Sequence, residues 1–296
     1  MQVTRKSNSN QDLSEEDINP PEDLREKTIL IKFGGNAMKN DEIKENVVEN
    51  ICKLKKLGLK VVLVHGGGPA ISKMLNMAEI ESEFVGGHRK TDDESIGYVE
   101  MALKGQVNGE IVRLINSKGQ KAVGLSGKDG VSVRALKRYH EREKEGSVEK
   151  VDLGQVGDVE IITPDLYHLL IENGYIPVIA PIAYGKDFSD YNVNADMFAG
   201  SLAATLKVER FIVLTDVDGL MRDKDDPDTI INEISLKNLK KEMKNIAKGG
   251  MIPKVESCIE ALEGGAKNAQ IVNGSKKDIL LTAISQNKVI GTKIRT

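Results

Sequence analysis

The sequence predicts an α/β fold built on a mainly parallel central sheet, and three observations predict it. Short apolar runs recur at 28–33, 61–64, 176–183, 211–214 and 269–272, as strands covered on both faces require. Helical patterns separate them, several closed by glycine. The run Val61, Val62, Leu63 and Val64 drops directly into His65, Gly66, Gly67, Gly68 and Pro69. That turn brings free main-chain N–H groups to a helix N-terminus preset by proline, a place suited to an anion.

Composition narrows the classes. A chain of 296 residues suggests roughly two domains at about 150 residues each. With 40% hydrophobic and 29% charged residues, a net charge of -3 and a pI near 6.0, it reads as a globular protein with no field for a polyanion such as nucleic acid. No apolar run approaches the roughly 18 residues of a membrane span, and the first residues lack a signal-peptide core, so a cytoplasmic protein is expected. Cys52 and Cys258 lie far apart in apolar helical patterns and read as small core residues. His140 and His168 read as surface residues, and no metal site is expected.

In chain order, residues 1–26 are polar and broken by Pro20 and Pro21, a mobile tail. The strand at 28–33 carries Lys32 at its end, beside a second glycine turn, Gly34-Gly35; a strand-end lysine is seldom buried without use for its charge. A helix over 41–57 follows, with Ile43, Val47, Ile51 and Leu54 on one face. After the Gly66–Pro69 turn, Thr91 and Glu94 have capping-box spacing, which sets Arg89 just before a helix N-terminus as a candidate carboxylate clamp. The helix over 92–117 holds Gly105 and Gly109, each costing about 1 kcal/mol against alanine. Packing of that face on a second subunit would offset the cost.

Lys128, Asp129 and Gly130 read as a hairpin between runs 122–125 and 131–135, and the charged run to Lys150 as a solvated excursion. A helix at 165–173 leads into the strand at 176–183. Asn194 is a natural N-cap for a helix over 197–206, and Asp196 falls in its first turn, with Asn192 nearby. The strand 211–214 ends in Thr215, Asp216, Val217, Asp218, Gly219 and Leu220, a sheet-edge turn where a nucleotide can lie. Asp223–Asp228 reads as a solvated acidic loop. Lys254 follows Pro253 at a helix start, where it opposes the dipole unless an anion sits between them. A strand at 269–272 and a helix at 278–284 complete the chain.

Two nucleotide motifs fail. A dinucleotide fingerprint would need glycine where Ile71 stands, and a P-loop around Gly127-Lys128 meets Ala122 and Asp129 at required positions.

The ordered set IKFGGNAM, VHGGGP, FVGGHRKTD, GLSGKDG, DLGQVGDV, GYIPVIAP, YNVNAD, LTDVDGL and GGMIPK resembles the acetylglutamate kinase branch of the amino-acid kinase family from Thr28 to Thr292. The resemblance implies a three-layer α/β/α sandwich of carbamate kinase-like fold. Its first lobe, 27–207, would bind N-acetyl-L-glutamate, and its second, 208–296, would bind ATP with Mg2+. Lys32 and Lys254 would stabilise the transferring phosphoryl group and Asp196 would hold both lysines. Gly34, Gly35, Thr215, Asp216, Gly219 and Leu220 would serve the nucleotide, and Gly67, Gly68, Arg89, Asn192 and Asn194 the acetylated acid. A carboxylate acceptor with a reference pKa of about 4.3 needs no general base. His88-Arg89-Lys90 replaces a commoner Leu-Arg-Val, and Gln270 and Ala283 stand where arginine-inhibited members carry His and Glu. A homodimer with weak or absent arginine feedback is therefore expected. Acetylaminoadipate, a carrier-linked amino acid, aspartate and carbamate remain open as acceptors, and a non-catalytic sensor remains open as another class; retention of both lysines argues against the sensor.

Overall fold

The computed structural model describes residues 22–35, 38, 40–144, 147–223, 225–285 and 290–296, so most of the expected tail lies outside the described residues. In order the chain forms β1 (Thr28–Phe33), α1 (Asp41–Lys56), β2 (Lys60–His65), α2 (Gly68–Met77), the short β3 (Phe84–Val85) and β4 (His88–Arg89), and α3 (Ser95–Glu100). A π-helical turn (Met101–Val107) continues α3 into α4 (Asn108–Ser117), followed by β5 (Ala122–Ser126), β6 (Val133–Lys144), β7 (Ser147–Ile162) and α5 (Asp165–Glu172). Then come β8 (Ile176–Ala180), β9 (Ile182–Tyr184), β10 (Asp190–Val193), α6 (Ala195–Thr205) and β11 (Arg210–Thr215). The chain closes with β12 (Glu233–Ser235), α7 (Leu236–Ile246), α8 (Met251–Glu263), β13 (Asn268–Asn273), α9 (Ile279–Ile284) and β14 (Thr292–Arg295).

Eight strands form one sheet in the order β12-β14-β13-β11-β1-β2-β8-β5. It is parallel except that β14, with β12 beside it, runs against the others. Side chains alternate across β1 and so build two cores. Ile29, Ile31 and Phe33 pack with Val61, Leu63, Ile212 and the apolar faces of α1, α4 and α9 on one side. Leu30 packs with Val62, Val64, Val213 and residues of α5, α6 and α8 on the other. Each such fully buried aliphatic contributes about 2 kcal/mol, and the outcome is the expected three-layer α/β/α sandwich. Lys32 shares the parity of Leu30, so its side chain emerges on the side of α6 and α8.

Four elements differ from the sequence expectations. Lys128–Gly130 is no hairpin: β5 pairs with β8 in the large sheet, whereas β6 leaves for a second sheet, in which β6, β7, β9 and β10 close into a ring. Asp129 pins the turn between them by accepting from Ser126 N at 2.6 Å and from Lys104 Nζ at 2.8 Å. The charged run toward Lys150 is no excursion but the β6–β7 ribbon, laced by Lys137–Asp152 and Arg142–Glu149 pairs at 2.9 and 2.8 Å. The strand expected over 176–183 divides at Pro181, which has no N–H to pair, and passes from the large sheet to the ring. Thr91 and Glu94 form no capping box; Ser95 N donates to Asp92 at 2.7 Å, and the helix starts at Ser95. The amphipathic α7, which buries Leu239 and Ile246, lies outside the elements expected from the sequence. Among the described residues no helix is long and apolar enough to cross a membrane.

Candidate active site

Three charged side chains from three elements converge above the carboxyl ends of the sheet strands. Asn194 caps α6, its Oδ1 accepting from Asp196 N at 2.9 Å and Met197 N at 3.2 Å, which fixes Asp196 in the first turn. Lys254 lies in the first turn of α8 and donates to Asp196 Oδ2 at 3.1 Å. Lys32 Nζ stands 2.8 Å from Asp196 Oδ1, so the carboxylate holds one ammonium on each of its oxygens.

The electrostatics follow from burial. Desolvation pushes the Asp196 carboxyl up, but the adjacent Lys32 and Lys254 outweigh it and hold the group below the ordinary carboxylate range. Lys32 is lowered, chiefly by burial, with Asp196 opposing and Lys254 adding to the effect. Two cations against one anion leave the cluster with an excess positive charge, and incoming phosphate would neutralise it.

The two glycine turns meet beside this cluster. Gly66 N donates to Phe33 O at 2.8 Å, and a Cβ at Gly34 would stand 2.9 Å from Lys32 Nζ and 3.4 Å from Gly66 N. Any side chain at 34 would therefore displace the ammonium.

A cavity of about 450 Å³ lies on one side, reached by Lys32, Gly66, Gly67, Gly68, Arg89, Asn192, Asn194, Asp196 and Lys254. Arg89 comes from β4 and is buried; it donates to Ser72 Oγ at 2.8 Å, to Gly68 O at 3.3 Å and to Ser82 Oγ, with its guanidinium 4.6 Å from the Phe84 ring centroid. Among the described residues no carboxylate pairs with it, and burial lowers its pKa. Asn192 is steadied by Thr91 Oγ1 at 3.3 Å.

A larger cavity of about 770 Å³ lies on the other side, lined by Gly34, Gly35, Thr215, Asp216, Gly219, Leu220 and the start of α8. Gly35, Pro69 and Lys254 border both cavities. All the candidate residues thus fall into two adjoining chambers. Sequence reasoning missed Ser72, Ser82 and Phe84 around Arg89, and Asn245 and Lys248 in the larger cavity. Only contacts made in the folded chain mark them.

The profile of the "Amino acid kinase family" matches residues 27–273. Relatives named acetylglutamate kinase are 41–46% identical over 90–92% of this chain. One from Petrotoga mobilis is 46% identical over 266 residues, which is 90% of this chain and 86% of its own. Among solved structures, carbamate kinase from Giardia lamblia bound to AMP-PNP superposes with a TM-score of 0.64 at 21% identity, covering 91% of this chain and 98% of that one. N-acetylglutamate synthase from Neisseria gonorrhoeae gives 0.75 at 20% identity over 95% of this chain, which spans 63% of that longer chain. These two likenesses speak to the fold alone. Together with the match over most of the chain's length, they leave one conclusion: the chain belongs to the amino acid kinase family.

Proposed function

We propose that the protein transfers the γ-phosphoryl group of ATP to the side-chain carboxylate of N-acetyl-L-glutamate, giving N-acetyl-L-glutamyl 5-phosphate and ADP, an early step of arginine biosynthesis. The observation that carries this reading is the junction of two cavities at Lys254, with Lys32 and Asp196 beside it. Relatives named acetylglutamate kinase supply the acceptor.

The chamber formed by residues of 27–207 takes the acid, with Arg89 on its carboxylate and Asn192 and Asn194 alongside. Residues of 208–296 take ATP against Thr215, Asp216, Gly219 and Leu220. Mg2+ would enter with the nucleotide, whose phosphates and bound waters supply most of its ligands.

The acceptor carboxylate is ionised at neutral pH, so the task is to bring two anions into line. A carboxylate oxygen forms the new P–O bond as the bond from γ-phosphorus to the bridging oxygen breaks, and that electron pair leaves with ADP. Lys32 and Lys254 stabilise charge on the equatorial oxygens, and Gly34, Gly35, Gly67 and Gly68 line the two chambers where their N–H groups can add to this. Asp196 orients both ammonium groups. ATP-dependent acyl phosphate formation, trapped with hydroxylamine across a panel including acetylaminoadipate, aspartate and carbamate, tests the reading; turnover confined to an acid other than N-acetylglutamate would overturn it.

We further infer a cytoplasmic homodimer. Among the described residues nothing stands within 4 Å of a Cβ placed at Gly105 or Gly109, both exposed on the helix over 95–117, and Met101 beside them is 57% exposed. Arginine feedback is weak or absent, since Gln270 donates to Ile290 O and Ala283 is buried, with no acid at either place.

A further inference from the structure

We propose that His65 and Asn108 are positioning residues for phosphoryl transfer, a buried imidazole–carboxamide pair that sets the Gly66–Gly67 peptide so that the Gly67 N–H faces the reacting groups. The proposal rests on the phosphotransfer reading above.

His65 ends β2 and has no solvent exposure. Its Nδ1 lies 2.8 Å from Gly66 O and its Nε2 lies 2.9 Å from Asn108 Nδ2. A carbonyl only accepts, so Nδ1 carries the hydrogen. Asn108 Nδ2 also donates to Val178 O at 2.9 Å, which identifies that atom as the amide nitrogen and leaves Nε2 of His65 as its acceptor. One neutral tautomer satisfies every contact, and desolvation holds the ring neutral by pushing its pKa to about 4.

The consequence for the glycine turn follows from peptide planarity. Gly66 N–H is taken by Phe33 O, and Gly66 C=O by the imidazole. No peptide among the described residues is cis, so the C=O and the next N–H point in opposite directions. Tying the carbonyl to His65 therefore turns the Gly67 N–H away from the ring, where Gly67 borders the acid cavity. Among the described residues no acceptor meets that N–H.

Asn108 directly follows a π-helical turn, Met101–Val107. Leu103 and Val107 of that turn pack against Gly67, and Lys104 donates to Gly124 O at 2.9 Å. A side chain at 124 would fall on Asn108 Oδ1, so Gly124 makes room for the amide. Single π-turns inside α-helices cluster at functional sites, and this one delivers a buried amide to the underside of a ligand loop.

Two replacements of His65 separate positioning from bulk packing. His65→Asn keeps a donor near the Nδ1 place, and His65→Gln keeps an acceptor near the Nε2 place. The Asn variant is expected to stay within about threefold of the wild-type kcat. The Gln variant, and Asn108→Ala, are expected to lose roughly 10- to 100-fold in kcat with both KM values changed little. Hydrogen exchange at Gly66–Gly68 should quicken in His65→Gln and in Asn108→Ala but not in His65→Asn. Equal kcat in the two His65 variants, or unchanged exchange in His65→Gln, would overturn the proposal. Should the His65 variants not fold, Asn108→Ala carries the same two readouts. A wild-type protein that phosphorylates no acid would sink the phosphotransfer reading alone, since the exchange measurement still decides the role of the pair.

Discussion

Lys254 and Asp196 link the first turns of α8 and α6 across 3.1 Å, so two helix N-termini point at one salt bridge. Asp196 is favoured there by the dipole of its own helix, whereas Lys254 is opposed by its own. The carboxylate reconciles them, and with Lys32 at 2.8 Å the three side chains form one unit.

Removing either cation should act on turnover. Lys32→Ala and Lys254→Ala are each expected to lower kcat by about 10²-fold or more while KM for either substrate moves far less, because the charge they stabilise develops in the transition state. Steady-state kinetics check this, and near-normal kcat in either variant would remove the role.

Asp196→Asn should damage stability as well as rate. Two largely buried ammonium groups would lose their shared anion, a change expected to cost about 3 kcal/mol. Urea unfolding measures the cost, and added MgATP, by bringing negative charge to the lysines, should restore part of it.

Arg89→Lys should raise the KM for the acid about tenfold or more and leave that for ATP nearly unchanged. An ammonium cannot replace a planar guanidinium that also donates to Ser72 and Gly68 O and stacks on Phe84. Equal effects on both KM values would place Arg89 outside the acid chamber.

Stability should fall with acidification through His65. Its folded pKa of about 4 lies below the ordinary 6.5, so the unfolded chain takes up the proton first. The contribution is fully present above about pH 6.5 and lost as pH falls to about 4, a change of about 3 kcal/mol. Asp196, also depressed, adds a loss of the same sign at lower pH. Unfolding titrations on wild type and His65→Asn check the sign: the variant should show a shallower slope in this window, with His88, also lowered by burial, keeping part of it.

A bulky residue on the exposed glycine face, as in Gly105→Leu, should yield folded monomer in sedimentation if that face joins two subunits. An unchanged mass would assign the contact elsewhere.

Much of this architecture could be read from residues because central strands carry their own label. Val61–Val64 has no polar alternation, and it proved to be a sheet strand buried on both faces. The Asn194 cap was legible for a similar reason: the residue types that cap helices bond locally. The convergence of Lys32, Asp196 and Lys254 was implied only by family likeness, since no spacing connects a strand end to two helix starts so far apart in the chain. The β6–β7 ribbon was illegible because charges line both its faces, so its strands show no period. Likewise, Thr91 and Glu94 had the letters of a cap, but Thr91 was claimed by β7, where its N–H donates to Leu153 O at 3.0 Å.

The π-turn lets the helix carry a spare residue. The segment 101–107 holds one residue more than a regular helix would use, so deleting one of them would let it relax to α geometry while α4 beyond keeps its orientation. Asn108 would stay beneath the ligand loop, but Leu103 and Val107 would shift against Gly67. A one-residue deletion should therefore be better tolerated here than in the regular turns of α4, where it would rotate everything beyond by about 100°.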